Sequence, residues 1–330
     1  MRVAAFAALA IALGSSAAIA QPVPKPDFAL PPESITVTAS KPSDETIRSY
    51  VEKRIAPTRV VGRLARWQKN ICPQTIGLGD KYAKYVTLRI RDVAAAVGAS
   101  VDPDLACKPN VEVMFTTTPQ ALLDNVRQKA PILLGYHDNL GQADRLAKVT
   151  RPIQGWYTTE SMDMDGSRSV DTGRCGAERT ITVGAPGTSS GDMQGDMQTG
   201  VPLQMTLPCA VIVHSTGFHA HDGLSSGLFN VLIVAEPAKL YDYEVGALAD
   251  YIAMLALSQP PSQENCQELP SISNLLAQGC AAAASHITDG DLAYLRGLYK
   301  MPEGYGLAAQ INQLRYQMTK VLVTDKGGKN

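Results

Sequence analysis

The chain of 330 residues lacks an excess of charge of either sign. It has 30 Lys and Arg against 31 Asp and Glu, so its formal net charge is −1. This balance gives no electrostatic attraction to nucleic acid or to an anionic membrane surface. After the first twenty residues, no segment reaches the roughly 18 uninterrupted apolar residues of a membrane helix. We therefore expect no nucleic acid and no integral membrane segment, and partners that are small molecules, peptides or proteins.

The sequence also lacks any Cys-x-x-Cys pair, which disfavours a zinc-thiolate site. It has 6 cysteines, and an even number in an oxidising compartment is typical of a disulfide set. Several pairings are possible, but the cysteines form three separated couples in the sequence. That distribution favours Cys72 with Cys107, Cys175 with Cys209, and Cys266 with Cys280.

The N-terminus has the layout of a cleavable secretory signal. Arg2 precedes an apolar run over residues 3–13 and a small-residue stretch that ends in Ala18-Ile19-Ala20. We expect a signal peptide over residues 1–20 and a periplasmic or secreted product. Residues 21–43 contain many prolines and read as an extended linker, and residues 44–330 as a single domain.

Residues 33–39 of the linker, Glu-Ser-Ile-Thr-Val-Thr-Ala, are β-prone. They resemble the short box near the mature N-terminus of outer-membrane receptors that are energised from the inner membrane. An edge strand or an extended tether explains the same residues. The resemblance adds the hypothesis of an envelope accessory protein whose proline-rich arm contacts such a partner.

Helix signals occur along the rest of the chain. Ser43 is typical of an N-cap, Gly98 suits the left-handed residue after a helix, and Thr118-Pro119 has a cap followed by proline in the first turn. Thr288 and Asp291 form an approximate capping box. We predict helices that begin at Asp44, Asp80 and Pro119, and helices over residues 241–258 and 289–299.

Strand signals lie between these helices. Residues 110–115 alternate in polarity, and residues 153–160 and 168–171 form a hairpin that turns near Asp165-Gly166. Residues 184–200 are rich in glycine and predict a mobile surface loop. We expect residues 181–183 to extend the sheet, and residues 210–214 and 229–235 to be central strands. This order predicts an α+β fold with the sheet in the middle.

Three features of the last third follow one another as in a known family. A helical segment, residues 245–257, precedes Ser271-Ile272-Ser273 and the closing segment Ile287 to Tyr299. The order resembles the metzincin zinc proteases, especially the matrixins, in which a long active-site helix leads to a Ser-Ile-Met type turn and a helix of pattern Leu-Thr-x-x-Asp-x-x-x-(Ile/Leu)-x-x-Leu-Tyr. The resemblance implies a metzincin-like mixed sheet packed against long helices and stabilised by disulfides.

The zinc ligands of that family are absent from this chain. Placing Ala256-Leu257 on the Gly-Leu that ends the family's helix motif puts Ala249, Asp250 and Ala253 at its His, Glu and His, and Gln259 at the third His. Methyl groups cannot bind zinc. Asp250 keeps a carboxylate at the general-base position and is a candidate catalytic residue, but it is shorter than Glu and has no metal-bound water from which to take a proton. A packing role explains the helix better, with a buried stripe of Val245, Leu248, Ile252 and Leu255.

Two other groups of residues could carry chemistry. His214, His219 and His221 with Asp222 are the residues of metal-ligand type that lie close in sequence, although their segment reads as a solvent-facing loop. Ser225 lies in Gly-x-Ser-x-Gly near His221 and Asp222 but precedes a strand, whereas a nucleophile elbow follows one.

Besides the envelope accessory protein, these observations lead to two hypotheses. The first is an exported, non-catalytic binding protein on a degenerate zinc-protease-like scaffold, without a cofactor, whose partner is a protein or peptide of the cell envelope. Its groove could accept an extended peptide at an edge strand. The second is a hydrolase, either metal-dependent through His214, His219 and His221 or serine-based through Ser225. Neither hypothesis states an oligomeric state.

Overall fold

A mixed five-stranded sheet is the centre of the described structure. The computed structural model describes residues 41–163, 166–171, 179–183, 203–207, 223–261, 266–280 and 283–324. These residues belong to one compact unit that begins at Lys41. The fold is α+β, as the sequence predicts. The strands of the sheet are β1 (Pro73–Ile76), β2 (Val111–Phe115), β3 (Ile153–Met162), β4 (Arg168–Val170) and β7 (Ser225–Ala235).

The sheet has the strand order β1-β2-β7-β3-β4. β1, β2 and β7 are parallel neighbours, whereas β3 runs antiparallel to β7 and forms an antiparallel hairpin with β4. The predicted hairpin is therefore confirmed, and β7 lies at the centre as its continuous apolar run indicates. β3 contacts β7 along its whole length, with a register shift between Thr158 and Thr159.

The prediction that residues 181–183 extend this sheet is wrong. They belong to β5 (Arg179–Val183), which pairs in antiparallel register with β6 (Leu203–Leu207) in a separate two-stranded sheet. Sequence alternation predicts a strand but not its partner, because the partner is chosen by the fold. The strand predicted at residues 210–214 lies outside the described residues, as does the loop predicted at 184–200.

Seven α-helices surround the sheet in the described part of the chain. Residues 237–239 form a 3₁₀ turn ahead of the fifth helix, so that helix begins at residue 245 and not at the predicted 241. It ends at Leu257 because Ser258 is extended and its hydroxyl donates to Met254 O at 3.0 Å. The helices are α1 (Asp44–Glu52), α2 (Asp80–Val97), α3 (Pro119–Lys129), α4 (Leu140–Leu146), α5 (Val245–Leu257), α6 (Asp289–Tyr299) and α7 (Leu307–Thr319).

Local signals mark most of the predicted helix ends correctly. Ser43 accepts a hydrogen bond from Thr46 N, and Gly98 ends α2 with φ of 86°. Thr288 and Asp291 form a complete capping box at α6. Thr118 occupies the N-cap position of α3, but its side chain makes no capping hydrogen bond.

The core lies on both faces of the sheet. Alternate β7 residues divide between the two sides: Val231 and Ile233 pack with α2, α5 and α6, whereas Leu232 and Val234 pack with α3. Every residue of α5 from position 247 to 257 is buried. α5 is therefore enclosed on all sides by the rest of the fold and does not present the single stripe predicted from its spacing.

Two of the three predicted disulfides are present. Cys72 is bonded to Cys107 and Cys266 to Cys280. Cys175 and Cys209 lie outside the described residues. Of the helices described, none has the length and hydrophobicity required to cross a bilayer.

Candidate functional site

A groove runs beside β3 on the side away from β7. Its volume is about 330 Å³. One wall is β3 itself, through residues 154–157 and Thr159, and the other is formed by residues 57–59 and 134–136 together with Gln259. We call this space the β3 groove.

The position of β3 in the sheet leaves part of its edge without a neighbouring strand. β7 pairs with β3 from Ile153 to Met162, but β4 pairs only with Glu160, Ser161 and Met162. Among the described residues, no strand lies beside the outer edge of residues 153–159. In an antiparallel strand, every second residue directs its amide and carbonyl away from a given neighbour. Asp171 N donates to Thr159 O at 2.8 Å, so the backbone groups that remain on the groove side belong to residues 153–158.

Gly135 packs closely against β3 at Tyr157. A Cβ added there would lie 2.6 Å from Tyr157 O, and its φ is 90°. The carbonyl of Tyr157 is thus on the groove side. The carbonyl of Gly155, two residues earlier in the strand, points to the same edge. Tyr157 is held by its phenol, which donates to Leu255 O at 3.1 Å. Burial raises the pKa of Tyr157 far above its usual range, so the phenol remains a donor at any physiological pH.

Positive charge predominates around the β3 groove. Arg59, Arg145 and Lys148 line it, and the described lining residues include no Asp or Glu. Arg59 forms an ion pair with Asp138, in which Arg59 Nη2 lies 3.7 Å from Asp138 Oδ2, and both side chains are exposed. An exposed ion pair of this kind is weak, so the groove presents an electropositive surface.

Asp250 lies in a structural contact between α5, α2 and the segment before α6. Its Oδ1 accepts from Arg89 Nε, and its Oδ2 accepts from Ile287 N at 2.8 Å. The side chain is 4% exposed. Both oxygens are thus used in packing α5 against its neighbours. The two alanines aligned with zinc-ligand histidines, Ala249 and Ala253, are fully buried.

Gln259 lies in the described lining of the β3 groove, four positions after Leu255. Its Oε1 is buried and has no hydrogen-bond partner among the described residues. Gln259 thus borders the groove. Asp250 does not line the groove, because its oxygens contact Arg89 of α2 and the amide of Ile287.

Ser225 is the first residue of β7, whereas the sequence places it before the strand. It is buried, and its hydroxyl accepts from Gln68 Nε2 at 3.0 Å. A glutamine amide cannot take a proton from serine, so this contact does not activate a nucleophile. His221 and Asp222, its candidate partners, lie outside the described residues, and so do His214 and His219. Among the described residues, no group of three or more His, Cys, Asp and Glu is placed to bind a metal.

Buried acids surround the β4 end of β3, close to Ser225. Glu160 accepts from Lys69 Nζ and from Arg168 Nη1, each at 2.7 Å. Asp171 accepts from Thr159 and Ser161. Burial raises the pKa of Asp171, although the hydrogen bonds from Ser161 and Thr159 oppose the shift. These acids brace the β3-β4 hairpin.

The motif residues of the closing segment form a buried polar cluster. Asp291 accepts from the Tyr50 hydroxyl at 2.6 Å and from Arg54 Nη2 at 3.0 Å. Its second oxygen accepts from the amides of Ile272 and Thr288. We call this the Asp291 cluster. It joins α1, the 272–274 turn and α6, so the pattern that resembles the end of a zinc protease has a structural role here.

Glu112 is a buried polar residue that the sequence analysis does not single out. It is the second residue of β2 and is 3% exposed. Its Oε2 accepts from Asn230 Nδ2 at 2.6 Å. Burial raises the pKa of Glu112 to about 8, against the opposing effect of the hydrogen bond from Asn230. In the sequence, the feature that could have identified Glu112 is its position as the one acid in an otherwise apolar five-residue strand.

Comparisons of the chain with protein-family models, with curated proteins and with solved structures find no match.

Proposed function

We propose that the chain is a non-catalytic binding protein of the cell envelope, and that it takes an extended acidic peptide along the free edge of β3. The observation that carries the proposal is the outer edge of residues 153–158, which has no strand partner in the described structure and borders the β3 groove. Strand addition needs backbone hydrogen bonds and shape, and no metal.

The geometry of β3 suits a peptide strand. Six residues at about 3.3 Å each span about 20 Å, the length of a short extended segment. The strand is braced by β7 behind it and by Thr158, whose hydroxyl donates to Ile132 O at 2.9 Å. A rigid edge reduces the entropy lost when the peptide binds.

The other edge of the sheet is less suited to this role. β1 has only four residues, and it begins with Pro73, which has no amide hydrogen to donate. The disulfide at Cys72 lies directly before it. A short strand with proline is a common protection against unwanted pairing at a sheet edge. The outer edge of β3 has no proline between residues 153 and 162.

Charge identifies the kind of peptide. Arg59, Arg145 and Lys148 around the groove favour carboxylate side chains and disfavour basic ones. The metzincin-like order of elements supports the same location, because Gln259, aligned with a zinc ligand, borders the groove. The disulfides and the signal-like N-terminus support a location in the envelope.

The test is fluorescence anisotropy with a labelled octapeptide of alternating valine and aspartate. We expect it to bind, and we expect the matched valine and lysine peptide to bind at least about tenfold more weakly, because of the groove's positive charge. N-methylation of alternate amides on the side facing β3 should weaken binding by about tenfold or more, since it removes donors from the added strand.

A pair of variants separates the groove from general surface charge. The double substitution Arg59→Glu and Lys148→Glu should abolish the preference for the acidic peptide. Lys129→Glu is the matched control, because Lys129 is an exposed cation of α3 that does not line the groove. Equal binding of the N-methylated and unmethylated peptides would exclude strand addition. Failure of the protein to bind either octapeptide would contradict the proposed function.

A further inference from the structure

A second and larger cavity lies beside β1, at the opposite edge of the sheet from the β3 groove. Its volume is about 530 Å³, within the range typical of small-molecule sites. Residues 72–75 form one side of it, α2 forms the second side, and the segment over residues 105–109 forms the third. We call this space the β1 cavity.

The third side of the β1 cavity is fixed to the rest of the fold. Cys107 is bonded to Cys72, the residue directly before β1. Ala106 N donates to Asp104 Oδ1 at 2.8 Å, and Asn110 N donates to Cys72 O at 3.1 Å. The cavity is therefore formed before a ligand enters, so that binding costs little entropy in ordering this side.

Apolar side chains of two sides of the cavity are left in contact with water. Leu88 of α2 and Leu105 of the third side both line the cavity, yet they are 36% and 66% exposed. Ala83, Ala106 and Pro109 add further apolar surface to the lining. An aliphatic chain in the cavity would remove part of both leucines from water, and this burial favours binding.

The lining of the β1 cavity also carries a positive charge. Lys84 lines the cavity and is exposed, and its ammonium group has no ion-pair or hydrogen-bond partner among the described residues. The acid of the lining is Glu112, and burial raises its pKa to about 8, so it is mostly uncharged at about pH 6. Asp80 and Asp104 are close in sequence to the lining but are not part of it. The cavity therefore favours an anionic group at Lys84.

We propose that the β1 cavity binds an aliphatic carboxylate, with its chain against Leu88 and Leu105 and its carboxylate paired with the ammonium group of Lys84. Most of the affinity comes from the chain, because the burial of apolar surface contributes more than an exposed ion pair. Lys84 selects the charge of the ligand, and its head group can remain in water together with the carboxylate. This site is independent of the β3 groove and of the peptide proposed there.

The experiment is calorimetric titration of the full chain at about pH 6 with octanoate, 1-octanol and octylamine, three ligands of equal chain length. We expect octanoate to bind about threefold more tightly than 1-octanol, the effect of one exposed ion pair, and octylamine to bind more weakly than either. Acetate, which has the same charge without the chain, should not bind measurably. Octylamine binding as tightly as octanoate, or an absence of octanoate binding, would overturn the proposal.

A first pair of variants assigns the charge preference to Lys84. In Lys84→Met, octanoate and 1-octanol should bind equally, because the cation is gone. Lys81→Met is the matched control, since Lys81 is an exposed cation of the same helix that does not line the cavity, and it should keep the threefold preference. A preference for octanoate that persists in Lys84→Met would contradict the assignment of the carboxylate to Lys84.

A second pair of variants places the aliphatic chain in the cavity. Leu105→Ser should weaken the binding of octanoate and of 1-octanol alike by about fivefold, because it removes apolar surface from the lining. Leu140→Ser changes a leucine of α4 that is 68% exposed and lies outside the lining, and it should bind both ligands as the unaltered protein does. Equal affinities in Leu105→Ser and Leu140→Ser would overturn the proposal. If Leu105→Ser does not fold, the ligand series on the unaltered protein still decides.

Discussion

Replacing Glu112 with Gln should remove a large pH dependence from the stability of the protein. In the folded state Glu112 keeps its proton up to a pKa of about 8, whereas the ordinary value is 4.5. Between these two values the folded state binds one proton more than the unfolded chain. Unfolding then releases a proton, so the contribution of Glu112 to the free energy of unfolding falls as pH rises.

The magnitude follows from the size of the pKa difference. One pH unit corresponds to about 1.4 kcal/mol, so raising the pKa from 4.5 to about 8 corresponds to about 5 kcal/mol. Glutamine has nearly the shape of protonated glutamate and cannot ionise. The two proteins should be similar in stability near pH 4.5, and Glu112→Gln should be more stable by about 5 kcal/mol near pH 8.

The assay is urea denaturation of both proteins at intervals between about pH 5 and pH 9. The quantity of interest is the difference between their unfolding free energies, because other titrating groups cancel from it. Glu52→Gln serves as the control, since its exposed side chain should give a flat difference. A difference for Glu112→Gln that stays within about 1 kcal/mol over this range would refute the reasoning, because it would mean that Glu112 is not desolvated when folded.

Two further predictions concern packing. Arg54→Met should destabilise the protein by about 3 to 5 kcal/mol in the same denaturation assay, because it leaves Asp291 buried without its cation. Arg48→Met, which removes a half-exposed cation, should reduce the free energy of unfolding by less than about 1 kcal/mol. Equal losses of stability in the two variants would contradict the larger contribution expected of the buried pair. Ala253→Leu should cost about 1 to 3 kcal/mol or more, since Ala253 is fully buried in α5. The matched change Ala308→Leu, at an exposed position of α7, should have little effect on the melting temperature.

The parts of the fold that sequence predicts well depend on neighbours in the chain. The cap at Ser43, the left-handed Gly98 and the capping box at Thr288 each involve atoms within a few residues. Their geometry is therefore encoded locally. The hairpin of β3 and β4 is correct for the same reason.

The parts that sequence does not predict depend on distant partners. Asp250 reads as a candidate general base until Arg89, 161 residues away, is found beside it. Glu112 alternates with Val111 and Val113, which suggests that it faces solvent. In the fold β2 lies between β1 and β7 and all five of its residues are buried. Alternation reports the two faces of a strand, but it does not report whether both faces are covered.

The Asp291 cluster has a consequence for the time course of biosynthesis. Its partners Tyr50 and Asp291 are 241 positions apart, so α1 leaves the ribosome long before the residue that completes its hydrogen bonds. At about 5 to 20 residues per second, the interval is about 12 to 48 s. During that interval Arg54 has neither Asp291 nor the ring of Tyr294 beside it. A chain that stops short of α6 lacks both of these partners for Arg54.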